Sequence, residues 1–226
     1  MTRFIDRQKA ISLRKQGKTY GEIKRELQIP KSTLSEWLSK FPLSQKQLKL
    51  LEKSVRRNKD LAVEKIRLTK RKKREARLKE IYIAQKKNLL PLSKKELEIA
   101  GLFLYWGEGQ KSARSQIGIN NTDPKVVKFS LYWATKVLKI PQGKIKVYLQ
   151  LYSDMKVEEE MKFWSKELRL PLTQFAKPYI KTSTREHIDH KGFGHGTCGL
   201  LVGNVRLKEK ILMSIEAVAN HYCSKI

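Results

Sequence analysis

The sequence predicts an α+β fold in three parts: an N-terminal helix-turn-helix, a long basic helix, and a domain in which helices are layered on a sheet. Three observations carry that prediction. Residues 1–41 hold three short amphipathic segments, separated by Gly17 and by Gln28-Ile29-Pro30. Residues 45–88 contain no Gly or Pro and are dominated by Glu, Lys, Arg, Leu and Ala, a composition that favours uninterrupted helix. Beyond Pro91, segments with helical periodicity alternate with segments that have the two-residue period of strands.

Composition sets the class of partner. The chain carries 49 Lys and Arg against 22 Asp and Glu, a net charge of +27, and so points to a polyanion. No segment approaches the ~18 apolar residues of a spanning helix, which favours nucleic acid over membrane. Residues 1–10 are too polar for a signal peptide, and Cys198 and Cys223 alone imply no disulfide framework. The expectation is a cytoplasmic, nucleoid-associated protein. Residues 1–41 carry 10 basic and 4 acidic residues, residues 42–91 carry 17 and 5, and residues 92–226 carry 22 and 13. The excesses of +6, +12 and +9 divide the chain at the same places as the structural pattern.

In the first part, Arg7 to Gln16 reads as a helix with Ala10, Ile11 and Leu13 inward, and Gly17 stops it. Thr19 caps a second helix to Leu27. A third, from Pro30 or Ser32 to Lys40, closes a three-helix core with Leu34, Trp37 and Leu38. Gly17-Lys18-Thr19-Tyr20-Gly21-Glu22-Ile23 followed by Ile29-Pro30-Lys31-Ser32-Thr33-Leu34-Ser35-Glu36-Trp37-Leu38 resembles helix-turn-helix segments of the resolvase and transposase type. The resemblance implies that Lys31, Ser32, Thr33, Ser35 and Glu36 face base edges or phosphates and that Lys40 touches the backbone of duplex DNA. A helical hairpin that binds protein is the alternative.

In the second part, one helix from Gln45 to about Asn88 would span about 65 Å. Leu48, Leu51, Val55, Ala62 and Ile66 can share a side, but only Ala76 is apolar between Thr69 and Arg77, so no continuous coiled coil is expected. The run Lys70-Arg71-Lys72-Lys73-Arg74 suits phosphate contact, or a solvated linker.

The third part opens on Ser93-Lys94-Lys95-Glu96, a capping-box sequence that starts a helix to about Trp106. Glu108 follows between Gly107 and Gly109, which permit a positive φ or a close backbone approach. Strands are expected at Ser115 to Asn120, Lys144 to Tyr152, Tyr179 to Thr182 and Gly196 to Val202. Helices are expected from Asp123-Pro124 to Leu138, from Glu158 to Leu168 and from Arg206 to Asn220. Lys144, Lys146, Tyr148 and Gln150 alternate to one face, either as a groove-reading surface or as the solvent face of a half-buried sheet.

Gly101-Leu102-Phe103-Leu104-Tyr105-Trp106-Gly107-Glu108-Gly109 resembles the LAGLIDADG motif of homing endonucleases and their DNA-binding relatives, aligned on its last three residues. Trp106 stands where the motif has its first acid. The resemblance implies a LAGLIDADG-like domain in which helices cover one face of a curved antiparallel sheet and the other face forms a DNA saddle. It also implies a homodimer joined along this helix, with Gly101, Phe103, Leu104 and Gly107 at the contact. Glu108 takes the place of the family's metal-binding acid, so an endonuclease of this type would hold Mg²⁺ there. Gln110 would orient a water, with Lys111 and Arg114 beside it. A regulator on the same fold would bind without cutting, and RNA remains a third class of partner because charge is blind to sugar chemistry. From the residues alone, the segment also reads as an ordinary core helix with an exposed Glu. His187, His190, His195 and Cys198 are candidate zinc ligands, but their spacing matches no common zinc pattern and zinc is not expected.

Overall fold

A computed structural model of the chain describes residues 3–52, 58–112, 115–184 and 194–225. They fall into two compact units, one up to Leu90 and the other from Pro91.

The first unit begins with three helices, α1 (Arg3–Lys15), α2 (Tyr20–Leu27) and α3 (Lys31–Leu38). Gly17 turns the chain out of α1 at φ 97°, a conformation that glycine adopts without steric cost. The Thr19 hydroxyl accepts from the Glu22 amide, and the Glu22 carboxylate accepts from the Thr19 amide, so the start of α2 is capped in both directions. Ala10, Tyr20, Ile23, Ile29, Leu34 and Leu38 form the shared core, with Ile11, Leu13 and Trp37 packed against it.

The single helix expected from Gln45 to Asn88 is instead two, α4 (Gln45–Glu52) and α5 (Asn58–Leu89), with Val55 outside the described residues. Leu43, Leu48 and Leu51 cluster with Leu61, and Leu68 packs against them. Along one straight helix Leu51 and Leu68 would stand about 25 Å apart, so the cluster requires the chain to fold back. Burying these leucines outweighs continuing the helix. With 32 residues, α5 reaches about 48 Å rather than about 65 Å. Arg14 fixes α1 to α5 through a buried ion pair with Glu64 at 2.6 Å. The same guanidinium donates to the Phe41 carbonyl at 2.9 Å. Arg67 binds the other Glu64 oxygen at 2.9 Å, and both arginines lie over the Tyr20 ring. From Lys72 to its end every residue of α5 is exposed.

The second unit is mixed α and β. It contains α6 (Lys94–Glu108), β1 (Gln116–Asn121), α7 (Pro124–Tyr132), β2 (Lys146–Tyr152), α8 (Val157–Leu168), β3 (Tyr179–Lys181), β4 (Thr197–Gly203) and α9 (Val205–Cys223). Asp123 caps α7, which continues as one wider π turn over Trp133–Val137. The sheet order is β1-β4-β2-β3. β4 runs antiparallel to both neighbours, whereas β2 and β3 are parallel, so the sheet is mixed rather than wholly antiparallel. The cause is α8, a helical crossover that returns the chain beside β2 in the same direction. Lys144 lies in a short 3₁₀ turn, Gln142–Lys144, so β2 starts two residues later than expected.

Strand parity separates the two faces of the sheet. Val147, Leu149, Leu151, Cys198, Leu200 and Val202 bury against Val127 of α7 and Trp164 and Leu168 of α8. On the same face Ile117 and Ile119 meet Leu102 and Tyr105 of α6, Trp133, and Ile211 and Ile215 of α9. All four helices therefore cover one face. Among the described residues no helix is long and apolar enough to cross a membrane.

Candidate functional site

The exit of α6 is built by hydrogen bonds that hold a short backbone segment against the sheet. The Ser93 and Glu96 capping box starts the helix, and its two bonds to Ser93 hold the Glu96 carboxyl below the usual carboxylate range. The helix runs two residues past Trp106, and Gly109 then leaves it in an extended conformation, not at positive φ. A side chain at Gly109 would overlap the Tyr105 carbonyl and ring, so close approach is the reason for glycine here. The Gly109 amide donates to the Tyr105 carbonyl, and the Gln110 amide to the Gly118 carbonyl, both at 2.8 Å. Tyr105 Oη and Lys208 Nζ both donate to the Gln110 carbonyl, at 2.8 and 2.7 Å. Lys208 also donates to the Gln116 carbonyl at 2.9 Å. It is 1% exposed, and burial pushes its ammonium below the ordinary lysine range.

This frame presents Glu108 to solvent at the helix end, with no ion pair to any described residue. Lys111 is exposed, and Arg114 lies outside the described residues. Gln110 has a different place from the one expected. Its side chain lies over Gly118, where a Cβ would come within 2.8 Å of its Oε1. Gly101 also serves within the chain, because a Cβ there would overlap the Trp133 indole. It is buried. Gly107 has open space around it, Leu104 is half-buried, and Ile99, Phe103 and Trp106 are 40%, 49% and 41% exposed. The Phe103 and Trp106 rings lie 5.7 Å apart on this apolar face.

The sheet face opposite the helices carries Gln116, Gly118 and Asn120 of β1, Thr197, Gly199 and Leu201 of β4, and Lys146, Tyr148 and Gln150 of β2, as the register requires. Tyr148 crosses Gly199 to hydrogen-bond the Asn120 side chain, and a Cβ at Gly199 would overlap its ring. Burial raises the Tyr148 phenol above its ordinary range, so it is a neutral hydrogen-bonding group at physiological pH. Lys146 and Lys144 are both exposed, the second from the turn before the strand. Lys181 of β3 sits over the Tyr152 ring at 4.7 Å.

In the first unit Lys31, Ser32, Ser35, Glu36 and Lys40 are exposed on and just after α3, and Thr33 is half-buried. Lys70, Lys72, Lys73 and Arg74 are exposed on α5. Arg71 is half-buried and ion-paired with Glu75 at 2.7 Å. Ser35, Lys40, Lys70, Arg71 and Arg74 line one cleft between α3 and α5, which Lys72 and Lys73 do not border.

Of the candidate zinc quartet, His195 and Cys198 fall among the described residues. His195 is held by Glu160 at 2.7 Å and stacked on Phe163, while the Cys198 thiol is buried in the core and pushed far above its ordinary pKa. His187 and His190 lie outside the described residues. No cluster of three or more His, Cys, Asp and Glu suited to a metal ion occurs among the described residues. Sequence reasoning missed Lys208, Tyr105 and Asn120. Nothing in the local pattern of Arg206-Leu207-Lys208 distinguishes a buried lysine from a solvated one. Comparison of the chain with protein-family models, with curated proteins and with solved structures gave no match.

Proposed function

We propose that the chain is a sequence-specific double-stranded DNA-binding protein of the LAGLIDADG homing-endonuclease-like type, acting as a homodimer with an N-terminal helix-turn-helix. The observation that carries this reading is the division of the sheet. Among the described residues of the second unit, helices α6 to α9 all lie on one face, and the other presents Lys146, Tyr148, Gln150 and Asn120 in a chain of net charge +27. Such a face offers donors and acceptors to base edges while surrounding cations meet phosphates. The exposed α3, with Lys31, Ser32 and Ser35 at its start, has the form of a recognition helix. Ile99, Phe103 and Trp106 give α6 an apolar face that a second copy would cover, with Gly107 allowing close approach.

Cleavage is the second reading, favoured by Glu108 standing exposed at the end of α6. Mg²⁺ is commonly held by one or two carboxylates plus substrate phosphate oxygens, so Glu108 fits as one protein ligand. The metal would supply charge stabilisation and a more acidic water. The chain's own part is to hold the carboxylate in place through Tyr105, Gln110 and Lys208.

The test incubates wild type and Glu108→Gln with a duplex DNA library and Mg²⁺. Tight sequence-selective binding by both, with no cleavage, is the expected result. Cleavage lost in Glu108→Gln establishes the endonuclease instead. Duplex RNA competing as well as DNA overturns both readings, and a monomer by sedimentation at binding concentrations overturns the homodimer.

A further inference from the structure

The cleft between α3 and α5 has a volume of about 600 Å³. Ser35 and Lys40 border it on one side, and Lys70, Arg71 and Arg74 on the other. Its two acids are engaged, Glu64 by Arg14 and Arg67 and Glu75 by Arg71. Lys40, Lys70 and Arg74 have no ion pair with any described residue. Arg71 binds Glu75 through Nε and leaves Nη1 without a hydrogen-bond partner among the described residues. Leu38, Leu68 and Leu78 supply apolar lining.

Positive charge on two walls with apolar surface between them suits a sugar-phosphate chain better than a lone anion. The phosphates meet cations and the sugar carbons meet leucines. Positions 70, 71 and 74 fall on one side of α5 by helical spacing, with one turn between the outer two. Positions 72 and 73 fall on the other side. The basic run thus has an inner and an outer face, and only the inner one borders α3.

We propose that this cleft is a phosphodiester clamp, in which α5 and the C-terminal end of α3 close on one strand of duplex DNA beside the bases that α3 reads. The proposal rests on the DNA-binding reading and adds to it that α5 is part of the reader rather than a spacer. Clamp contacts raise affinity without choosing sequence.

The test measures affinity of the full chain against salt concentration, on a duplex selected by the wild type from a random library. Lys40→Gln/Lys70→Gln/Arg74→Gln removes three cleft cations. Lys79→Gln/Lys86→Gln/Lys87→Gln removes three exposed cations of α5 that do not border the cleft. The cleft variant is expected to lower the slope of log K against log salt by about 2–3. Its affinity at 0.15 M salt should fall on the order of 100-fold, with the preferred sequence unchanged. The control should lower the slope by less than about 1. The single variant Lys70→Gln should lower it by about 1 and guards against a folding defect in the triple variant. Equal slopes in the two triple variants, or an altered sequence preference in the cleft variant, overturn the clamp alone. A wild type that binds no duplex DNA overturns the clamp together with the reading it rests on.

Discussion

Lys208 Nζ donates to the Gln110 carbonyl at 2.7 Å across 98 residues of sequence, tying α9 to the turn that presents Glu108. Lys208→Met keeps the length of the stem but removes the ammonium from the Gln116 carbonyl and leaves the Gln110 carbonyl with Tyr105 Oη alone. Unfolding free energy should fall by about 1–3 kcal/mol in urea titration at neutral pH. An unchanged midpoint would show that solvent replaces the ammonium without loss.

The same lysine gives a pH signature. Its folded pKa is lowered by burial, so between that value and the ordinary lysine range the unfolded chain binds more protons than the folded one. Stability of the wild type relative to Lys208→Met should therefore rise with pH across that alkaline window. A difference that shrinks as pH rises contradicts the burial account.

Gly101 and Gly107 should respond oppositely to alanine. Gly101→Ala places a Cβ in the Trp133 indole, and overpacking should cost about 1–3 kcal/mol beyond any helix-propensity gain. Gly107→Ala meets nothing and should gain up to about 1 kcal/mol in the monomer. Thermal melts at low protein concentration compare the two. In sedimentation, Gly107→Leu should weaken the proposed self-association without lowering monomer stability, and no effect on association would remove Gly107 from the proposed contact.

Arg14 and Glu64 are both nearly inaccessible, so Glu64→Leu leaves a buried guanidinium with one partner fewer. The expected loss is about 3–5 kcal/mol. Arg14→Met/Glu64→Leu should recover most of it, because no buried charge remains. Chemical denaturation of the singles and the double closes the cycle, and additive losses would contradict a direct pairing.

The two cysteines should differ in reactivity. Cys198 is buried with its thiol held protonated, while Cys223 is exposed at the end of α9. Iodoacetamide under native conditions should label Cys223 alone, and both after denaturation. Native labelling of Cys198, read by peptide mass spectrometry, would show that the sheet core opens.

Local chemistry made some of this legible in the sequence and left the rest hidden. Ser93 and Glu96, or Thr19 and Glu22, need only each other to start a helix, so their spacing suffices. The alternation of Val147, Leu149 and Leu151 likewise marks a strand by itself, although its start at Lys146 depends on the preceding turn. The fold-back of α4 on α5 was hidden because it rests on Leu48, Leu51, Leu61 and Leu68 meeting in space, with no Gly or Pro to mark the break. Gly101 was legible as a close-contact position, but its partner was not: Trp133 lies 32 residues on, and small-residue spacing cannot tell an intrachain neighbour from a second copy. The parallel pairing of β3 follows from the α8 crossover, which a strand-by-strand reading does not register.

The parity of β2 has an evolutionary consequence. Val147, Leu149 and Leu151 hold the fold together from one side of the strand, and Lys146 and Gln150 take no part in that packing. Replacing such solvent-side residues typically changes stability by only about 0.5 kcal/mol in either direction. A lineage can therefore rewrite the chemistry of this surface one residue at a time while the scaffold beneath stays unaltered, and the surface can drift faster than the architecture.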